Sequence, residues 1–140
     1  MSSKRTVVLA SVLAAFALAL PLAAQEGQAR YDWAIVSDSK ESFDEKAVIG
    51  PDVPKIYLLF SVGDVPKGAR LKAAWIAEDV AGNAKNSTFD KSESASKGGS
   101  YSAAFSLGKP QGGWPTGAYR VDLFIDGQLK KSIKFKIGKA

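Results

Sequence analysis

Two stretches of this 140-residue chain have the spacing of a serine nucleophile and its lysine base, Ser37-Asp38-Ser39-Lys40 and Ser94-Ala95-Ser96-Lys97. Ser-x-x-Lys chemistry requires both side chains on one helix face inside a much larger enzyme, with Ser-Asp-Asn and Lys-Thr-Gly motifs completing the site. Neither motif occurs here, and both stretches fall in or beside polar loops, so they read as solvated loop residues. The adjacent carboxylates Asp44-Glu45 and Glu78-Asp79 are the next candidates. Glycoside hydrolysis needs two carboxyls converging across a cleft, about 5–10 Å apart, whereas neighbours on a strand point to opposite faces. Glu78, Asp79 and Asn83 could offer oxygens to calcium, but their spacing matches no calcium loop, and a simple turn is the better reading. Asn86-Ser87-Thr88 is a glycosylation sequon in a context that looks bacterial, and it reads as part of an edge strand.

The composition closes off other chemistry. There is no cysteine and no histidine, and the single methionine is Met1. The commonest metal ligand, the commonest neutral-pH base and every soft-metal ligand are therefore missing. No cofactor and no metal are expected, and the chain does not read as an enzyme.

The elements that would hold any site begin after residue 24. Lys4 and Arg5 precede an uncharged, almost wholly apolar run over 6–22. Pro21 then breaks it, and Leu22-Ala23-Ala24 precede polar Gln25-Glu26-Gly27. This is the pattern of a helical secretory signal peptide cleaved near Ala24. A retained membrane anchor needs about 20 apolar residues, so no stable anchor is expected after cleavage. Residues 1–24 are read as the signal peptide and 25–140 as one domain, periplasmic or secreted. Removing Lys4 and Arg5 lowers the basic count from 19 to 17 against 14 acidic residues, and the net charge from +5 to +3. So mild a charge argues against nucleic acid as a partner. With no disulfide available, stability must come from the hydrophobic core.

Short apolar runs alternate with turn residues through the rest of the chain, the pattern of a sandwich or barrel. Strands are predicted at 31–37, 55–62, 69–78, 86–92, 100–107, 118–126 and 128–137, with a mobile loop at 93–99. In the last strand Leu129, Ile133, Phe135 and Ile137 are expected inward, opposite Lys130, Ser132, Lys134 and Lys136. Trp75 lies midway along the third strand, and Gly117-Ala118-Tyr119-Arg120-Val121 sets a tyrosine at the start of the penultimate one. The latter resembles a tyrosine corner. The run Gly113-Trp114-Pro115-Thr116-Gly117-Ala118-Tyr119, continuing to Gly127 and on to Phe135, resembles the closing hairpin of immunoglobulin-like or fibronectin-type-III-like domains of bacterial exported proteins. That resemblance, over about residues 55–137, implies an all-β, seven-stranded immunoglobulin-like β-sandwich and no particular activity.

Binding is then the remaining role, and the surface supplies its candidates. Lys130, Lys134 and Lys136 form either an anion-binding stripe or, the favoured reading, a charged edge that discourages aggregation. Tyr57, Leu59 and Phe124 point away from their strands' apolar faces. For Tyr57 and Leu59, coverage by the N-terminal strand (Trp33, Ile35) or the loop around Phe43 is the favoured reading over an exposed patch. Trp114, in a Gly/Pro-rich loop, is expected to reach solvent and contact a partner or a sugar face. The leading function is a non-enzymatic interaction module for an envelope or secreted protein. The alternative is a carbohydrate-binding accessory domain using exposed aromatics to hold a glycan.

Overall fold

A computed structural model describes residues 28–41 and 44–139. The predicted signal peptide and Phe43 lie outside the described residues. Eight strands form two facing sheets. β1 (Arg30–Ser37), β3 (Lys55–Val65) and β6 (Gly99–Gly108) make an antiparallel sheet in the order β1-β3-β6. β2 (Val48–Ile49), β8 (Gln128–Ile137), β7 (Gly117–Ile125), β4 (Arg70–Val80) and β5 (Ser87–Ala95) make the other, in the order β2-β8-β7-β4-β5. All seven predicted strands are present, and the fold is an all-β immunoglobulin-like sandwich.

The period-two alternation of side chains explains the core. On β3, Ile56, Leu58, Phe60 and Val62 face inward with at most 1% exposure. On β4, Leu71, Ala73, Trp75 and Ala77 also face inward and are buried, as are Tyr119, Val121, Leu123 and Ile125 on β7. Trp75 is fully buried, sets its ring edge-on to Phe135, and donates its indole N–H to Ser92 Oγ at 3.1 Å. Tyr119 stacks on Phe135 at 5.4 Å, and its hydroxyl donates to the Pro115 carbonyl, forming the tyrosine corner that the sequence resembles. Tyr31 closes the sandwich from β1, donating to the Phe124 carbonyl at 2.8 Å.

Several elements differ from expectation, each for a local reason. β2 has only two residues, too few for periodicity to show. It pairs parallel to β8 at Val48↔Lys136 and Ile49↔Ile137, and Ile49 is fully buried. Residues 93–95, expected in a mobile loop, continue β5, and Gly98 and Gly99 at positive φ complete the turn to β6. β3 runs to Val65 through an irregularity in its pairing with β6 after Val62. A bulge at Lys130 shifts the β7–β8 register, so Lys131 opposes core-facing Leu123 while Leu129 opposes Phe124. Leu129 therefore turns to the outer face, 56% exposed, rather than inward. The same bulge breaks the lysine stripe: Lys134 and Lys136 share the outer face, but Lys130 is the extra residue outside that alternation.

Burial holds the Tyr31 hydroxyl above the ordinary tyrosine range, with a smaller contribution from Tyr101, and burial alone raises Tyr119. A phenol whose folded pKa is raised stabilises the fold fully below the unfolded value of about 10 and loses that contribution as pH rises through the folded value. The thermal unfolding midpoint should therefore fall above about pH 10, and Tyr31→Phe should flatten that fall. A midpoint with the same alkaline dependence in wild type and variant would contradict this.

Candidate functional site

The residues proposed from sequence do not converge. Tyr57 is half-buried on the outer face of the three-stranded sheet, in register with Ser37 and Ser106. Phe124 is half-buried on the outer face of the other sheet, with the Lys72 ammonium 4.6 Å above its ring. Lys130, Lys134 and Lys136 are exposed along β8, and Lys134 reaches Glu78 at 3.9 Å. Trp114 is not a solvent-facing loop tip: it is 6% exposed. Its indole N–H donates to the Val53 carbonyl at 2.8 Å, and its backbone N–H to Pro51 O at 3.1 Å. The Gly/Pro composition that suggested exposure serves instead to fold the loop inward. Gly112 and Gly113 adopt positive φ, and Gly117 at φ 151° lies where a Cβ would meet the Asp79 carbonyl at 2.5 Å.

Trp114 nevertheless lines a cleft of about 300 Å³ at one end of the sandwich, beside β5 and the end of β6. Its walls are Phe89, Tyr119, Pro110, Pro115, Leu107 and Ala77, with Asn83, Asp90 and Gly108 completing the lining. Phe89 is 43% exposed and stands edge-on to Tyr119, ring centres 5.7 Å apart. Sequence reasoning missed Phe89 because its strand is otherwise polar. A lone aromatic in such a strand was the available signal. The pairing of β4 with β5 slips beside it, between Trp75↔Asp90 and Ile76↔Thr88, leaving Phe89 without an opposing residue.

The chemistry of this cleft follows from its atoms. The indole N–H and the phenol O–H on its walls already bond to backbone carbonyls of the protein itself. Prolines contribute no N–H. Side-chain polar groups are left only on Asn83 and Asp90, so the cleft offers aromatic and aliphatic surface with little hydrogen bonding. Its volume is at the lower end of the range of about 300–1,000 Å³ usual for small-ligand sites.

A second cluster lies on the outer face of the five-stranded sheet. Arg120 bonds Asp122 at 3.1 Å, Glu78 at 3.2 Å and Asn86 at 2.9 Å, and Ser132 donates to Asp122 at 2.6 Å. Partial burial opposes the Arg120 charge, but its bonds to Glu78 and Asp122 outweigh that and raise its pKa. These groups satisfy one another across β4, β7 and β8, which makes the cluster a brace between strands. Among the described residues no group of three or more His, Cys, Asp or Glu could hold a metal ion, and no helix is long and apolar enough to cross a membrane.

No protein-family model matches the sequence, and no curated protein matches it. Solved structures do. An immunoglobulin-like protein of Pseudomonas aeruginosa superposes with a TM-score of 0.53 at 14% identity, covering 81% of this chain and 98% of that one. The alkylpurine DNA glycosylase AlkC of Pseudomonas fluorescens, bound to DNA containing an abasic-site analogue, gives 0.50 at 14% identity, over 78% of this chain and 30% of that one. Identities this low establish the immunoglobulin-like fold and stop there.

Because Trp114 is buried and hydrogen-bonded, Trp114→Ala should cost about 3–5 kcal/mol of stability and lower the urea midpoint sharply. Phe89→Ala, at an exposed position, should leave that midpoint nearly unchanged. An equal loss of stability in the two variants would show that Phe89 belongs to the core.

Proposed function

We propose that this protein is a non-enzymatic, exported interaction module that binds a protein partner, taking an apolar side chain of that partner into the Phe89–Trp114–Tyr119 cleft. The observation that carries the reading is the engagement of the polar atoms of both aromatic walls, Trp114 Nε1 and Tyr119 Oη, in bonds within the protein. Sugars are held by stacking together with many directed hydrogen bonds, and a wall whose remaining side-chain polar groups are Asn83 and Asp90 suits an aliphatic or aromatic side chain better. Export to the periplasm or beyond is supported by the charge, hydropathy and cleavage-site pattern of residues 1–24. The sandwich fold is compatible with such a role.

The Trp114 indole N–H gives a direct readout, since anything entering the cleft alters its surroundings. In ¹⁵N spectra, capped leucine and phenylalanine amides should shift that resonance, and cello- and chito-oligosaccharides should not. Phe89→Ala should weaken the amide titration about tenfold, or 1.4 kcal/mol, and Lys134→Glu should leave it unchanged. A shift with the oligosaccharides alone would replace the protein partner with a glycan.

A further inference from the structure

The two layers are unequal, and the deficit falls at one place. The three-stranded sheet stops at β6, while the facing sheet ends in β5. Phe89 of β5 and Leu107 of β6 line one cleft, which sets the two edges on the same side of the sandwich. Among the described residues, nothing covers the core-facing positions there. Ala103 on β6, in register with buried Phe60, is exposed, and Tyr101 and Phe105 are only half-buried although their partners Val62 and Leu58 are fully buried. Opposite the core residues Leu71 and Ala73, β5 presents Ser94 and Ser92, which tolerate water.

β6 also lacks what normally protects an edge. Its ten residues include no charge and no proline, and its pairing with β3 is unbroken from Lys55↔Gly108 to Val62↔Tyr101. Exposed edges are usually blunted by charges, prolines or bulges. β5 has Asp90, Lys91 and Glu93, and β1 has Arg30 and Asp32. Cations flank β6 instead. Lys55 and Lys109 are exposed at its end, while Lys97 precedes its start with its ammonium 5.7 Å from the Tyr101 ring, beside exposed Lys67, whose Cα and Cβ border Gly98.

We propose that β6 accepts an extended segment of a partner protein, small or apolar in its middle and acidic at both ends, as the fourth strand of the smaller sheet. Main-chain bonds to the free edge would supply affinity, and the adjoining cleft would select one side chain. Charge decides the occupant. A second copy of this chain, paired in either direction, sets lysines against lysines at the ends of the joint, and opposed like charges destabilise strand pairing. Carboxylates beyond the ends of a foreign strand meet those lysines instead. The proposal rests on the reading of the cleft as a protein-binding site, because Leu107 and Gly108 of β6 lead directly into it.

Panning a random-peptide library on the purified protein, followed by hydrogen exchange with the selected peptide, tests this. The selected sequences should alternate in polarity and carry Asp or Glu at both ends. They should slow exchange of the 99–108 amides about tenfold, and the double variant Lys97→Glu/Lys109→Glu should weaken binding by a similar factor. Phe89→Ala should weaken binding without removing the 99–108 protection at saturating peptide. Selected peptides that perturb Phe89, Trp114 and Tyr119 yet leave 99–108 exchange unchanged would overturn the strand proposal and keep the cleft reading. Protection of 99–108 that grows with protein concentration and needs no peptide would assign the edge to a second copy. Failure to enrich any peptide would overturn both.

Discussion

Tyr119 ties together three parts of the molecule: the core, the edge strand β5 and the loop before β7. One face stacks on Phe135 in the core, the ring receives Phe89 edge-on, and the hydroxyl holds Pro115 in the loop before β7. The core thereby fixes the loop, and the loop fixes the cleft. Trp114 adds a second tie by bonding Val53 and Pro51 from the segment that leads into β3. The cleft walls are consequently rigid before anything binds, which reduces the entropy that association must overcome.

Much of the fold was legible in the sequence because period-two alternation and turn chemistry are local properties. The strands carrying Leu58, Trp75, Val121 and Phe135 lie where their patterns put them. Elements whose placement depends on distant contacts were not legible. Two residues of β2 cannot show a period, and the bulge at Lys130 reverses the faces of Leu129 and Lys131 without changing composition. The site was read less well than the fold. Trp114 was singled out but given the wrong exposure, because glycine and proline around an aromatic are equally consistent with a loop folded inward. Phe89 was hidden in a polar strand, and its neighbours come from distant segments, Tyr119 on β7 and the β6–β7 loop.

The outer surfaces show how differently the two sheets manage polarity. On the larger sheet Arg120, Glu78, Asp122 and Ser132 form a mutually satisfied brace, and Lys72 lies over Phe124. Asp122 is 8% exposed, an expensive position for a carboxylate unless its bonds are kept, and Arg120 and Ser132 keep them. Those polar groups are committed to one another, and Leu129 is left exposed beside Phe124 on the same face. The open side between β5 and β6 carries unpaired strand edges and apolar surface, and it is there that the proposed binding is set.

The strand order has a kinetic consequence. β3 must find β6 and β4 must find β7 across long intervening stretches, so few native pairings can form before most of the chain is present. Topologies dominated by such distant pairings fold slowly, on the scale of about milliseconds to seconds. For a chain exported as proposed above, that slowness keeps it threadable until it has crossed the membrane. The same distant pairings that hold the finished domain together would, for such an exported chain, be the last to form.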